Sequence, residues 1–321
     1  MNNLLTLQKQ FIDLRFGCFI HFNSGTVQFH SGDIEDWEYS HENNHAPRLY
    51  PFREADWNPQ ELDCKKWAAT AKKAGCRFAS YTTKHHEGFA TWPTKYSEHC
   101  VRNATNKTDV VAEYLDAFRA EGIEAGLYFS ILDLTAGINR TSCTPAQKEI
   151  IKGQITELLT NYGKIPFLIL DGWNAPWGGP SYEMLPFEEI DALVKSLQPD
   201  CLLMNIGCTS GIDGTDIVFF ENGAGQDITA GFEGPGVLCQ KLTNTWFWRS
   251  TDPQKLANSA DWALEKMNQC FSHNVNFILN ISPDKNGNVD ENQIVEFTKI
   301  GKNVQLPAPL TALPENWLRR H

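Results

Sequence analysis

The sequence predicts a closed (β/α)8 TIM-like barrel over residues 1–301, one domain, followed by a C-terminal tail over 302–321. Three observations carry this expectation. Eight apolar runs of strand length alternate with helical patterns, the habit of a parallel α/β sheet. Phe167-Leu168-Ile169-Leu170, between Pro166 and Asp171-Gly172, is apolar throughout, as a strand buried on both faces must be. Polar residues gather where these runs end, and in an α/β barrel that lip is the substrate face. A doubly wound open sheet would carry a glycine-rich phosphate turn after its first strand, and Phe22-Asn23-Ser24-Gly25 is not one.

The elements follow in order. Arg15 to Phe22 reads as the first strand, with His21 near its end, and Asn23 to Asn58 is a long loop rich in Gly, His, Asn and aromatic residues. Loops of that length inside a barrel are commonly functional. Pro59 to Ala74 is a helix stopped by Gly75, and Cys76 to Thr83 is the second strand, running into Lys84-His85-His86-Glu87-Gly88-Phe89. Thr108 to Glu121 is a helix and Ile123 to Ile131 a strand carrying Tyr128. Pro145 to Tyr162 and Pro186 to Leu197 are helices on either side of the Asp171 strand. Cys201 to Asn205 is the fifth strand, and Asp216 to Phe220, ending in Glu221, is the sixth. A glycine-rich loop spans Asn222 to Gly236, and the seventh strand falls within Val237 to Trp248, centred on Asn244-Thr245-Trp246-Phe247-Trp248. Pro253 to Phe271 is a helix, Asn276 to Ile281 the eighth strand, and Asp290 to Ile300 the last helix.

Composition narrows the function. A chain of 321 residues fits one such barrel. Its net charge of -11, with no cluster of Lys and Arg, argues against a nucleic-acid partner, because phosphate binding needs clustered cations. No apolar stretch approaches the roughly 20 residues of a membrane helix. Nine cysteines, an odd number without a Cys-x-x-Cys pair, sit mostly in apolar runs and read as free buried thiols in a reducing compartment. The N-terminus shows no basic start followed by an apolar core, so no signal peptide is visible. The expectation is a cytoplasmic protein, or a periplasmic or secreted one if a leader has been removed. Oligomeric state is not legible.

Bringing the strand ends together collects His21, His85, His86, Tyr128, Asp171, Glu221, Trp246 and Asn280 around one mouth. Two carboxylates on different strands suit glycoside hydrolysis, where one attacks or activates water and the other protonates the leaving oxygen. Histidines and tyrosine bind hydroxyls, and aromatic faces pack on the sugar ring. Other readings stay open on the residues alone. Asp171 is also placed to start a turn or cap the next helix. Adjacent His85 and His86 suggest metal ligands, although neighbours on an extended strand point to opposite faces unless the strand has already ended. The two are equally a structural pair, one packed and one hydrogen-bonded.

Several motifs, in fixed order from Phe16 to about Gly301, resemble glycoside hydrolase family 29, the α-L-fucosidases. Phe16-Gly17-Cys18-Phe19-Ile20-His21-Phe22 resembles the family's first-strand motif, whose His contacts the sugar. Lys84-His85-His86-Glu87-Gly88-Phe89 resembles its Lys-His-His-Asp-Gly-Phe, with Glu87 in place of Asp. Gly126-Leu127-Tyr128-Phe129-Ser130 resembles the segment whose first Tyr lines the pocket, and Leu170-Asp171-Gly172 resembles the one carrying the nucleophile, with Ile169 where Trp is usual. Thr245-Trp246-Phe247-Trp248 and Asn274 to Asp284 resemble two late segments, and Asp36-Trp37 stands in for a Glu-Trp of the first long loop.

The resemblance implies a retaining exo-glycosidase that releases terminal α-L-fucose from glycans or glycosides through a covalent glycosyl-enzyme. It makes Asp171 the nucleophile and Glu221 the acid/base, the latter from the Asp216-to-Glu221 spacing, with Glu233 in reserve. Substrate would be bound by His21, Trp37, His85, His86, Tyr128 and Trp246. No metal or cofactor is implied, and the partner is a fucosylated carbohydrate. The family's C-terminal β-sandwich has no counterpart in the sequence. A galactose-configured α-glycosidase and a catalytically inactive sugar-binding barrel are the alternatives.

Overall fold

In the computed structural model, which describes residues 3–28, 52–175, 178–206, 214–312 and 317, the strands are β1 (Phe16–Ile20), β2 (Phe78–Lys84), β3 (Glu124–Ser130), β4 (Phe167–Asp171), β5 (Leu202–Asn205), β6 (Val218–Phe220), β7 (Gly236–Lys241) and β8 (Val275–Ile281). They form one eight-stranded parallel sheet in the order β5-β4-β3-β2-β1-β8-β7-β6. A parallel bridge between Ile206 and Phe219 joins β5 to β6, and the Asp216 carboxylate takes the Leu203 N–H at 2.7 Å across the same seam. The sheet is thereby closed, and the fold is the (β/α)8 barrel that the alternating pattern required.

The helices are α1 (Asn3–Ile12), α2 (Ser24–Gln28), α3 (Cys64–Ala74), α4 (Val110–Ala120), α5 (Pro145–Thr160), α6 (Phe187–Leu197), α7 (Ala260–Ser272) and α8 (Glu291–Asn303). Local chemistry sets their ends. Asp63 and Asp109 accept backbone N–H groups as N-caps of α3 and α4, and Thr144 with Gln147 forms a reciprocal capping box on α5. Among the described residues, the β5–β6 and β6–β7 connections carry no α-helix. Among the described residues, no helix is long and apolar enough to cross a membrane.

Two expectations are corrected. The seventh strand is Gly236–Lys241, not the aromatic run Asn244 to Trp248. Its register against β8, from Gly236 opposite Val275 to Lys241 opposite Asn280, fills the length available on that neighbour. The aromatic run lies beyond the strand end, where the Trp246 carbonyl is held by Asn280 Nδ2 at 2.7 Å and the Ser282 hydroxyl at 2.9 Å. The helix assigned to Pro253–Phe271 starts only at Ala260, because Ser259 caps it while Asp252 reaches back to the Arg249 N–H at 2.8 Å. Helix α1 was not anticipated. Its Phe11 meets Phe78 and Phe167 at the N-terminal end of the barrel, where Trp317 of the tail is also buried.

Side-chain parity divides the core. Phe19, Tyr128, Phe167, Ile169, Met204, Phe219, Val237, Cys239 and Ile278 fill the barrel interior, whereas Phe16, Cys18, Ile20, Leu168 and Leu170 pack outward with the helices. Successive strand residues face opposite ways, so the next interior positions toward the C-terminal lip are His21, Asp171, Glu221, Lys241 and Asn280. Eight cysteines fall among the described residues; all are free, and only Cys143 is not fully buried.

Candidate active site

His21, His85, His86, Tyr128, Asp171, Glu221 and Trp246 line one cleft at the C-terminal end of the strands, with Phe19, Ile206, Phe219 and Cys239 as its apolar lining. Each of these polar residues was expected at the mouth. Trp37, assigned there too, lies outside the described residues. A larger cavity, about 270 Å3, opens at the opposite end of the barrel between α1 and the starts of β3 to β5. It gathers no comparable set of groups.

Asp171 ends β4 and is 6% exposed. Its Oδ2 accepts the Tyr128 hydroxyl at 2.6 Å and its Oδ1 accepts the Gly172 N–H at 2.6 Å. His86 Nε2 stands 3.6 Å from Oδ2. The tautomer of His86 follows from its other side. Nδ1 lies 2.8 Å from the Ser130 hydroxyl, whose single proton goes to the Leu132 carbonyl at 2.6 Å, so Nδ1 is the donor. The Tyr128 hydroxyl and the Gly172 N–H hold the Asp171 carboxyl in one orientation.

His85 and His86 reach the same cleft because β2 has already ended at Lys84. The chain turns there through Gly88 at φ 108°, where a side chain would collide with the Asp133 carboxylate. Two polar networks brace the turn. Lys84, fully buried, pairs with Asp133 at 2.9 Å and with Gln154 Oε1 at 3.0 Å. Glu87 Oε1 meets His99 Nε2 at 2.5 Å, and His99 Nδ1 meets Glu54 at 2.5 Å. Burial alone would lower the His99 pKa, but the two carboxylates outweigh it and raise it to about 9. The same contact holds the Glu54 carboxyl below its usual value against the effect of burial. Glu87 thus acts from behind the two histidines. The sequence signalled Glu87 by its motif, but His99 and Glu54 are distant in the chain and gave no sign.

His85 lies parallel to Tyr128, with ring centroids 5.7 Å apart, and meets Phe247 edge-on at 4.9 Å. His21 stacks on Trp246 at 5.3 Å. Its Nδ1 lies 2.5 Å from Asn280 Oδ1, and since the Asn280 amide nitrogen donates to the Trp246 carbonyl, the histidine donates here. Nδ1 is thereby committed to the barrel wall.

Glu221 follows β6 and is half-buried. Its N–H donates to Gln226 Oε1 at 3.0 Å and its carbonyl accepts the Ala224 N–H at 2.8 Å, which fixes the turn that it opens. Cys239 lines the same cleft: burial pushes its thiol well up, and the charges of Glu221 and Asp171 push it further. Glu233, the reserve acid, lies just before β7 at the other end of the barrel, beside His273 at 3.5 Å.

The free space at the centre of the cleft is about 10 Å3, less than a pyranose ring occupies. Asp171, His85, His86 and Tyr128 are nearly inaccessible, whereas Glu221 and Trp246 are half-buried. His85, His86 and Asp171 also bring one possible ligand atom each within 4.8 Å of one another, a grouping that could hold a metal ion.

The comparisons agree with this geometry. The alpha-L-fucosidase family model matches residues 2–307. Alpha-L-fucosidase 1 of Arabidopsis thaliana is 29% identical over 283 residues, covering 77% of this chain and 53% of its own length. Putative alpha-L-fucosidase 1 of Oryza sativa subsp. japonica is 28% identical over 278 residues, 77% of this chain and 51% of its own. The chain therefore spans about half the length of the curated relatives it matches. A glycoside hydrolase 29 family member from an unknown rumen bacterium superposes with a TM-score of 0.75 at 26% identity, covering 92% of this chain and 56% of that one. A family 29 alpha-L-fucosidase from Bacteroides thetaiotaomicron shares the fold at 21% identity and a TM-score of 0.75, covering 92% of this chain and 74% of that one. With the matched residues spanning all eight strands, the chain belongs to the alpha-L-fucosidase family.

Proposed function

We propose that the protein hydrolyses terminal α-L-fucosides with retention of configuration, taking fucosylated glycans or glycosides as substrate. The observation that carries this is the shared cleft of Asp171 and Glu221, two carboxylates from different strands, one of them held by the Tyr128 hydroxyl and the Gly172 N–H. Asp171 attacks the anomeric carbon while the protonated Glu221 delivers its proton to the departing oxygen. A water then enters, Glu221 takes its proton, and the oxygen displaces Asp171 from the sugar. Two inversions give net retention. That geometry asks for roughly 5–5.5 Å between the carboxyl groups. Family membership supports the sugar assignment, and the Bacteroides thetaiotaomicron protein was trapped as a covalent intermediate with 2-fluoro-fucosyl fluoride.

The test is a panel of aryl glycosides with the product anomer followed by NMR. We expect turnover of the α-L-fucoside with α-fucose released first, near-complete loss in Asp171→Gly, and partial recovery of that variant with azide. β-Fucose appearing first, or full activity in Asp171→Gly, overturns the mechanism. Preference for a galactose-configured glycoside reassigns the substrate, and fucose binding without any turnover makes the barrel a lectin-like binder. A second reading, a metal-dependent hydrolase, draws on the grouping of His85, His86 and Asp171. Activity lost to a chelator and restored by a divalent ion would favour it.

A further inference from the structure

Lys241 occupies a position at the mouth that the sequence reading missed, because the seventh strand had been placed beyond it. It ends β7, and its parity follows Val237 and Cys239, both barrel-interior residues. The ammonium makes two contacts at once. It donates to the Gly223 carbonyl at 2.7 Å and lies 4.4 Å from the centre of the Trp246 ring. Its neighbour Gln240 grips the same turn, donating from Nε2 to Asn222 Oδ1 at 2.5 Å.

That turn, Asn222–Ala224, is the one Glu221 opens, so the end of β7 holds the backbone on which the Glu221 carboxyl is mounted. The packing is tight. A methyl group at Gly223 would stand 2.6 Å from Trp246 Cη2 and 3.1 Å from the ammonium, so the turn, the cation and the indole form one three-part contact.

We propose that Lys241 is a positioning residue for leaving-group protonation: it fixes the Glu221 turn against the Trp246 wall so that the acid meets the glycosidic oxygen. The inference rests on the reading of Glu221 as acid/base. Its signature is selective, since proton donation matters most where the departing group is a poor one and least where an acidic phenol leaves unaided.

The experiment compares Lys241→Met and Lys241→Arg on two α-L-fucosides, one with a nitrophenol of low pKa as leaving group and one with a simple alcohol or sugar. For Lys241→Met we expect kcat/KM to fall about 100-fold on the second substrate and no more than roughly threefold on the first. Lys241→Arg should restore most of the lost rate. Gly223→Ala, which crowds the contact from the other side, should reproduce the selective loss and serves if Lys241→Met folds poorly. Equal losses on both substrates, with no recovery in Lys241→Arg, overturn this inference while leaving the proposed activity intact. No turnover of either substrate by the unmodified protein overturns the activity and the inference together.

Discussion

The Tyr128 hydroxyl donates to Asp171 Oδ2 at 2.6 Å, joining the interior faces of β3 and β4 at the lip of the barrel. In the proposed mechanism Asp171 becomes an ester of the sugar, its charge is lost and this bond weakens; when the ester is hydrolysed, the returning charge is met by the same hydroxyl.

Tyr128→Phe therefore acts mainly on the second chemical step. A hydrogen bond to a charged group is worth about 1.5–3 kcal/mol, which corresponds to a fall in kcat of roughly 10- to 100-fold. KM should fall with it, and a burst of aryl alcohol should precede the steady state as glycosyl-enzyme accumulates. Stopped-flow release of nitrophenol checks this, and an unchanged kcat without a burst would remove Tyr128 from the reaction.

The bridge of Glu54, His99 and Glu87 gives stability a pH dependence. The folded-state pKa of His99 is raised to about 9 from its ordinary value of 6.5. The folded protein thus holds this proton more tightly than the unfolded chain does. The contribution is fully present below the unfolded value and is lost as pH rises toward the folded one. Thermal unfolding of the natural protein should show Tm dropping between pH 6.5 and about 9, and His99→Gln should lack that component of the slope. Parallel profiles for the two proteins would show that the bridge carries no such linkage.

Lys84 is 0% exposed, and burial lowers its pKa even though Asp133 opposes that effect. Lys84→Met would leave Asp133 buried without its cation, at a cost of about 3–5 kcal/mol. Adding Asp133→Asn to the same chain removes the stranded charge and should recover part of the loss. Urea unfolding of the single and double variants measures both. A single variant within 1 kcal/mol of the natural protein, to about that precision, would mean that water reaches Asp133 readily.

The sequence by itself determined the barrel and most of its mouth. Apolar runs such as Phe167 to Leu170 identify strands buried on both faces, and a polar residue at the end of each run then has one place to go, the C-terminal lip. That is why His21, His85, His86, Asp171 and Glu221 were legible before any coordinates, and why the structure gathers them into one cleft. Tertiary structure decided what depends on register and on contacts between distant segments. Pairing with β8 fixed the seventh strand at Gly236–Lys241, which sent the aromatic run to the mouth and brought Lys241 against the Glu221 turn. His99 meets Glu54 and Glu87 only because the chain folds 45 and 12 residues back upon itself. Periodicity reports which face a residue turns to; it carries no information about which residue waits on the other side.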